Sequence, residues 1–499
     1  MTTENAVKAF RDVQRKLHAY YHAMGLISYD TMTTGPSDAS EGRGVTLGIL
    51  SEAAYELETC KETKDLVSFL LEHRDELDPQ AKREAEKFNE GSEYVSSIPA
   101  GEYTEYEMLL NKSQEVWKNA KSANDFASFA PYLKKIVETN IRFAKYYRPD
   151  QDVMDTLLGR YEKGLTTKEL DSFFGSLRAR IVPLLKKIKE VPQIDDAFLH
   201  QYFPKDKQEE FSDYLMEVMR IDRSHCTIGE TEHPFTTNFN KNDVRITTHY
   251  YMNDLTNSMY SVIHESGHAT YELNSGDQYE YTCLAGGVSM GIHESQSRFF
   301  ENYIGRSREF CSLIFPKVCE LFPEQMKGKT AEDFYRGVNK SEPSLIRTQA
   351  DELTYPLHIM VRYEIEKLLL TGKIDVDELP RVWAEKMDEY LGIEVPDDTR
   401  GVLQDSHWGG GMLGYFPTYA LGSAYGAQFL DSMQKDIDVF GSVAKGDLSP
   451  VIGWLTDKIY KHGSMIDPKP LFEAAVGKPF DPSYFTEYLE KKYGELYGV

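Results

Sequence analysis

Almost everywhere in this chain apolar residues recur every three or four positions. Only residues 226–251 change to the β-branched and aromatic character of strands. That contrast confines the fold to packed helices with one small sheet. From residue 4 to about 29, Val7, Phe10, Val13, Leu17, Tyr20, Tyr21 and Met24 mark an amphipathic helix. A Gly-, Pro- and Ser-rich run over 33–44 reads as a loop, and helical patterns resume over 45–63, 65–76, 79–92, 102–120, 126–147, 167–190 and 207–219. Within the exception, Thr236-Thr-Asn-Phe and Asp243-Val-Arg-Ile-Thr-Thr-His-Tyr-Tyr251 predict a small antiparallel sheet, whose edge could align an extended peptide. Helices return over 309–321, 331–339, 343–370, 375–391, 418–434, 448–461 and 467–475, with one more near the C-terminus. No linker, repeat or low-complexity tract divides the 499 residues. The expectation is one mainly α domain of two lobes around a cleft: a helical part over 1–222, a motif-bearing part over 223–420 and C-terminal helices over 421–499.

Directly after the strand-like stretch comes His264-Glu-Ser-Gly-His268. Two histidines four apart on a helix share one face, so both imidazoles can reach one divalent ion, with Glu265 beside them as a general base. That is the layout of a zinc hydrolase. The bland alternative is a helix with two unliganded histidines. A third ligand must come from further along, and the metzincin pattern is excluded because Tyr271 and Asn274 stand where it requires Gly and His. On a continuing helix Glu272 lies about 12 Å beyond His264, which makes it a solvated residue rather than a ligand. Glu280 falls in a polar loop. Glu294 opens a helical run after Gly286-Gly-Val-Ser-Met-Gly291 and is the preferred third ligand, with water in the fourth position.

Charge and cysteine content narrow the partners. A net charge of −24 argues against nucleic acid and anionic membrane surfaces, both of which call for clustered Lys and Arg. The N-terminal segment lacks a signal-peptide pattern, and no apolar run is long enough to span a bilayer. Five widely spaced cysteines, Cys60, Cys226, Cys283, Cys311 and Cys319, fit reduced thiols in a cytoplasmic protein.

Two further segments carry polar clusters. Arg347, Asp351, Tyr355 and His358 are spaced to line one helix face, where the plainest reading is a surface Arg347–Asp351 pair. Gly401-Val-Leu-Gln-Asp-Ser-His-Trp408 runs into a glycine-rich stretch, and His407, Tyr415 and Tyr419 around it could donate to a developing oxyanion. His233 beside the first strand reads on its own as a structural histidine.

Taken in order, His233-Pro-Phe235, Asp243-Val-Arg-Ile-Thr247, His264-Glu-Ser-Gly-His268, His293-Glu-Ser-Gln-Ser297, Ile346-Arg-Thr-Gln-Ala-Asp351 and Gly401-Val-Leu-Gln-Asp-Ser-His-Trp408 resemble the signature motifs of the carboxypeptidase Taq family of metallocarboxypeptidases. The resemblance implies a saddle-shaped helical homodimer with a deep groove, related to neurolysin-like oligopeptidases. It also implies a zinc or cobalt ion and stepwise removal of C-terminal residues with broad specificity. Carried over by motif, His264, His268 and Glu294 become ligands and Glu265 the base. Arg347 becomes the site for the peptide's terminal carboxylate, and His233 and His407 become groove residues. The competing readings are an oligoendopeptidase on the same scaffold and a silent metal-binding protein.

Overall fold

The computed structural model describes the backbone of residues 1–499 and every side chain except that of Ser37. Helices α1 (Thr3–Met32), α2 (Ser40–Thr59), α3 (Lys61–Glu72), α4 (Pro79–Ser96), α5 (Ala100–Ala123), α6 (Phe126–Tyr147), α7 (Val153–Gly159), α8 (Thr167–Glu190) and α9 (Lys205–Val218) precede the sheet. Strands β1 (Cys226–Glu230), β2 (Thr236–Asn240) and β3 (Asp243–Thr248) follow. Then come α10 (Leu255–Leu273) and α11 (Met290–Arg298), the latter running straight into a π-helical stretch, Phe299–Gly305. The chain finishes with α12 (Arg308–Leu321), α13 (Ala331–Val338), α14 (Tyr355–Leu370), α15 (Leu379–Leu391), α16 (Pro417–Asp436), α17 (Val439–Ala444), α18 (Ser449–Lys458), α19 (Pro468–Val476) and α20 (Ser483–Tyr497). No described helix is long and apolar enough to cross a membrane.

The sheet is mixed, which corrects the antiparallel expectation. β2 and β3 form the foreseen antiparallel hairpin, but β3 lies between its partners, so β1 pairs with it in parallel. The chain reverses twice, before and after β2, and the strand two reversals away necessarily points the same way as β1. The predicted helix over 343–370 also starts late. Asp351 accepts from the backbone N–H groups of Leu353 and Thr354 and caps a turn, so α14 begins only at Tyr355 and Arg347 sits in a short 3-10 turn ahead of it. In the N-terminal part, the run read as a loop to residue 44 already becomes helix at Ser40.

One large core extends from α5 to α20, while Ala6 and Phe10 of α1, Leu66, Val67 and Leu70 of α3 and Ala85 of α4 form a small separate cluster. Within the large core α10 is central. Asp254 caps its first turn through the N–H groups of Thr256 and Asn257, and the helix packs against β3, α9 and α11. Two glycines decide how close α11 can come. A Cβ on Gly267 of α10 would lie 2.7 Å from both Gln296 O and Ser297 Cα of α11. On the opposite side, a Cβ on Gly422 of α16 would lie 2.6 Å from Glu294 Cγ. Helix α11 is therefore clamped between two neighbours at a separation that only glycine permits.

Gly267→Ala is expected to destabilise the fold by about 1–3 kcal/mol through this overpacking. Gly453→Ala, at a helical position with open space around it, should be neutral or stabilising by up to about 1 kcal/mol. Urea unfolding of both variants measures the contrast.

Candidate metal centre

The clamp brings Glu294 of α11 against His264 and His268 of α10. One donor atom from each of the three lies within 4.8 Å of the others. Glu294 Oε2 is 3.7 Å from His264 Nε2 and 3.5 Å from His268 Nε2, and its other oxygen accepts from Arg298 Nε at 2.7 Å. Each imidazole is fixed from behind. His264 Nδ1 donates to Glu301 Oε2 at 2.8 Å. His293 Nε2 donates to Glu272 Oε1 at 2.7 Å, which leaves its Nδ1 as an acceptor for His268 Nδ1–H at 2.5 Å. A carboxylate only accepts, so both chains of bonds force the tautomer whose Nε2 lone pair faces Glu294. Two imidazole nitrogens and one carboxylate oxygen turned to a common point fit a divalent ion with an open coordination position.

The charges around this point balance only in concert. Burial is the largest single influence on Glu294 and Glu301 and would raise both, but Arg298 and the neighbouring histidines together outweigh it, holding Glu294 well below the usual carboxylate range and Glu301, with Arg306 adding to them, down at about 2. Burial and the neighbouring His293 push His268 down to about 3, so it stays a neutral lone-pair donor. Burial lowers His264 too, yet the Glu294 charge and the Glu301 hydrogen bond win and its pKa is raised. Glu265 faces β2, where Thr236 Oγ1 donates to its Oε2 at 2.5 Å, and burial raises its carboxyl despite His264 nearby. The start of α11 rests on buried Glu162, whose Oε2 accepts from Gly291 N at 2.9 Å. Burial pushes that carboxyl up to about 7.

Beyond Arg298 lies a second cluster. The Arg298 guanidinium stands 4.3 Å over the Tyr355 ring, and Arg347 Nη1 donates to the Tyr355 hydroxyl at 3.1 Å. Arg347 does not pair with Asp351. It bonds Asp405 Oδ1 through Nη2 at 2.8 Å, while buried Arg362 takes Asp405 Oδ2 at 2.6 Å. Tyr419 lies 5.0 Å from the Arg347 guanidinium, and its hydroxyl is 3.3 Å from His407 Nε2. Tyr415 stacks on His407 and has Glu294 and Arg347 among its charged neighbours. His233 is apart from these groups, exposed in the loop between β1 and β2, three residues before Thr236.

A model of the carboxypeptidase Taq (M32) metallopeptidase family matches residues 9–493. The chain belongs to this family. It is 40% identical over 492 residues to carboxypeptidase 1 of Bacillus subtilis, covering 98% of each chain. With a thermostable carboxypeptidase 1 of Pyrococcus furiosus it shares 35% identity over 485 residues, 96% of each. The crystal structure of the M32 carboxypeptidase from Deinococcus radiodurans superposes with a TM-score of 0.96 at 34% identity, covering 99% of this chain and 100% of that one. This M32 member is a peptide hydrolase of the metal-dependent carboxypeptidase class.

Reading the sequence alone missed the residues that hold the M32 site in shape. Glu272, expected to be solvated, is buried and orients His293. Glu301 and Arg298 lie in the run recognised after Glu294, at spacings of seven and four, but nothing in that spacing told them from surface charges. Arg362 carries no local signal, and Asp405, although inside the matched segment that ends at Trp408, was given no role, since its importance comes from a contact across 43 residues.

Glu301→Gln is expected to lower divalent-ion affinity about 10- to 100-fold, read by chelator competition, with helicity unchanged. Glu162 gives a pH signature. Its folded pKa is raised, so the folded chain holds a proton that the unfolded chain releases, and stability falls as pH rises through about 7. Glu162→Gln should therefore stabilise by roughly 2 kcal/mol more at pH 8 than at pH 5, measured by denaturant unfolding at both.

Proposed function

We propose that His264, His268 and Glu294 hold the ion, zinc or cobalt, that Glu265 is the general base, and that Arg347 receives the C-terminal carboxylate of a peptide. When bound, the ion would supply Lewis acidity, polarising the scissile carbonyl and lowering the pKa of an adjacent water. The chain does the rest. Glu265, raised by burial and steered by Thr236 through one oxygen, has the other to take the proton of the attacking water and return it to the leaving amine. Burial raises both Tyr415 and Tyr419, so each keeps its hydroxyl proton. Tyr415, with Glu294 and Arg347 both near it, is the proposed donor to the developing oxyanion, and Tyr419 backs Arg347. His407, pushed down to about 4 chiefly by burial, is a neutral wall of the same pocket, and exposed His233 is assigned to the groove mouth.

The observation that carries this reading is a charge imbalance. Two buried guanidinium groups, Arg347 and Arg362, share the single carboxylate of Asp405. One positive charge is left over in a desolvated pocket, and a peptide's free terminus supplies its partner, whereas an amide does not. We further assign a homodimer, which the family resemblance implies, and a cytoplasmic location, consistent with five free cysteines.

Two peptides that differ only in a free or amidated C-terminus test the assignment with metal-loaded enzyme and mass spectrometry. Single-residue losses are expected from the free peptide alone, and internal cleavage of both would instead identify an oligoendopeptidase. Arg347→Gln leaves Asp405 and Arg362 as a neutral pair and should lower kcat/KM on the free peptide about 100-fold.

A further inference from the structure

Strand β2 is an edge of the sheet, and it runs outward from the metal centre alongside α10. Thr236 meets Glu265, Asn238 Nδ2 donates to Glu272 Oε2 at 2.6 Å, and the backbone N–H of Lys241 points at Glu280 Oε1, 3.4 Å away. Arg347 connects to the His264 end of this run, through Glu301, Arg298 and Tyr355, whereas Asn238 meets α10 two turns further along at Glu272. A peptide laid antiparallel on the free edge of β2 therefore points its C-terminus toward Glu265 and Arg347, with its upstream residues along Asn238 and Asn240. A parallel peptide would carry its terminus away from Arg347. At about 3.4 Å per residue, the far end of β2 lies two to four residues upstream of the position facing Thr236.

At that far end is a cavity of about 200 Å³ lined by His18, Asn238, Asn240, Glu272, Glu280 and Tyr281. Its charges are unevenly committed. Glu272 is bound to His293, Asn238 and the Gly287 N–H. The ammonium of Lys241 is bound to Asp277. Glu280 accepts only the long hydrogen bond from Lys241 N; burial raises its carboxyl, and the Lys241 ammonium, which also lines the cavity, lowers it in part. His18, lowered by burial and by His22, is neutral, and its buried Nε2 has no hydrogen-bond partner. Tyr281 holds a left-handed backbone, φ 63°, with its ring edge-on to His18 at 5.0 Å, and Glu280 beside it lines the space.

We propose that this cavity is an upstream subsite for a lysine or arginine side chain of the peptide, with Glu280 as its counter-charge. The proposal rests on the carboxypeptidase reading above and extends it from the terminal residue to the body of the substrate. Its test is a peptide series with one C-terminal residue and Lys, Ala or Asp placed in turn at the second to fifth positions upstream of the scissile bond. At one of these positions Lys is expected to raise kcat/KM about tenfold over Ala and Asp to lower it, and in Glu280→Gln the Lys-to-Ala ratio should fall to about one. Binding of the same peptides to Glu265→Gln protein, followed by fluorescence anisotropy, should show the same ordering without turnover. Equal rates at every position, with C-terminal release intact, would overturn the subsite and leave the carboxypeptidase reading standing. A Lys preference that survives in Glu280→Gln would overturn Glu280 as the counter-charge. Absence of release from every peptide would overturn the reading of the reaction, and the binding order would still decide the subsite.

Discussion

A metal site of this kind needs side chains from two helices to converge within a few ångströms, and ordinary helix surfaces hold their axes too far apart. Here α11 is admitted to that distance because Gly267 on one side and Gly422 on the other present bare backbone. The small residues of α16, among them Ala420, Gly422, Ser423 and Ala424, make that wall nearly flat. Everything downstream in the site inherits its geometry from this clamp. Glu294 faces the two histidines, Arg298 follows one turn later, and Glu301 arrives beside His264.

The same closeness creates an electrostatic problem that a single ion pair could not solve. Two carboxylates, two imidazoles and Arg298 share one desolvated region, and each would be destabilised alone. They are tolerable because every hydrogen-bonding edge is assigned. Arg298 bridges Glu294 and Glu301, and the carboxylates of Glu301 and Glu272 dictate which imidazole nitrogen carries hydrogen. The cluster around Asp405 follows the opposite rule, with one cationic valence left unmatched. The proposed reception of a peptide carboxylate at Arg347 rests on that contrast between a cluster whose charges are all engaged and a neighbour with a cation to spare.

What the sequence made legible was whatever depends on short spacing. Most of the helical periodicity, the β-branched and aromatic runs of β2 and β3, and the four-residue spacing of His264 and His268 are local, and the structure carries them close to where they were expected, apart from the late start of α14 and the early start of α2. Glu294 was separable from Glu280 and Glu272 because it alone opened a helix. The failures share one cause. Asp351 had helix-compatible spacing but was already engaged as a turn cap, so the helix face supposed to carry Arg347 never forms. The parallel pairing of β1, the burial of Glu272 and the Asp405 contacts are tertiary facts with no local imprint.

The π-helical stretch Phe299–Gly305 has a consequence for how this gene can drift. Its hydrogen bonds span five residues, so it accommodates more chain per turn than the α-helix it continues. Deleting a codon there other than that of Glu301 would leave every polar side chain of the centre encoded, yet the stretch would have to close into a tighter α-helical turn or rotate the chain beyond it by about 100° about the helix axis. Point substitutions on this helix can be absorbed one contact at a time. A change in its length acts on every contact of the stretch at once.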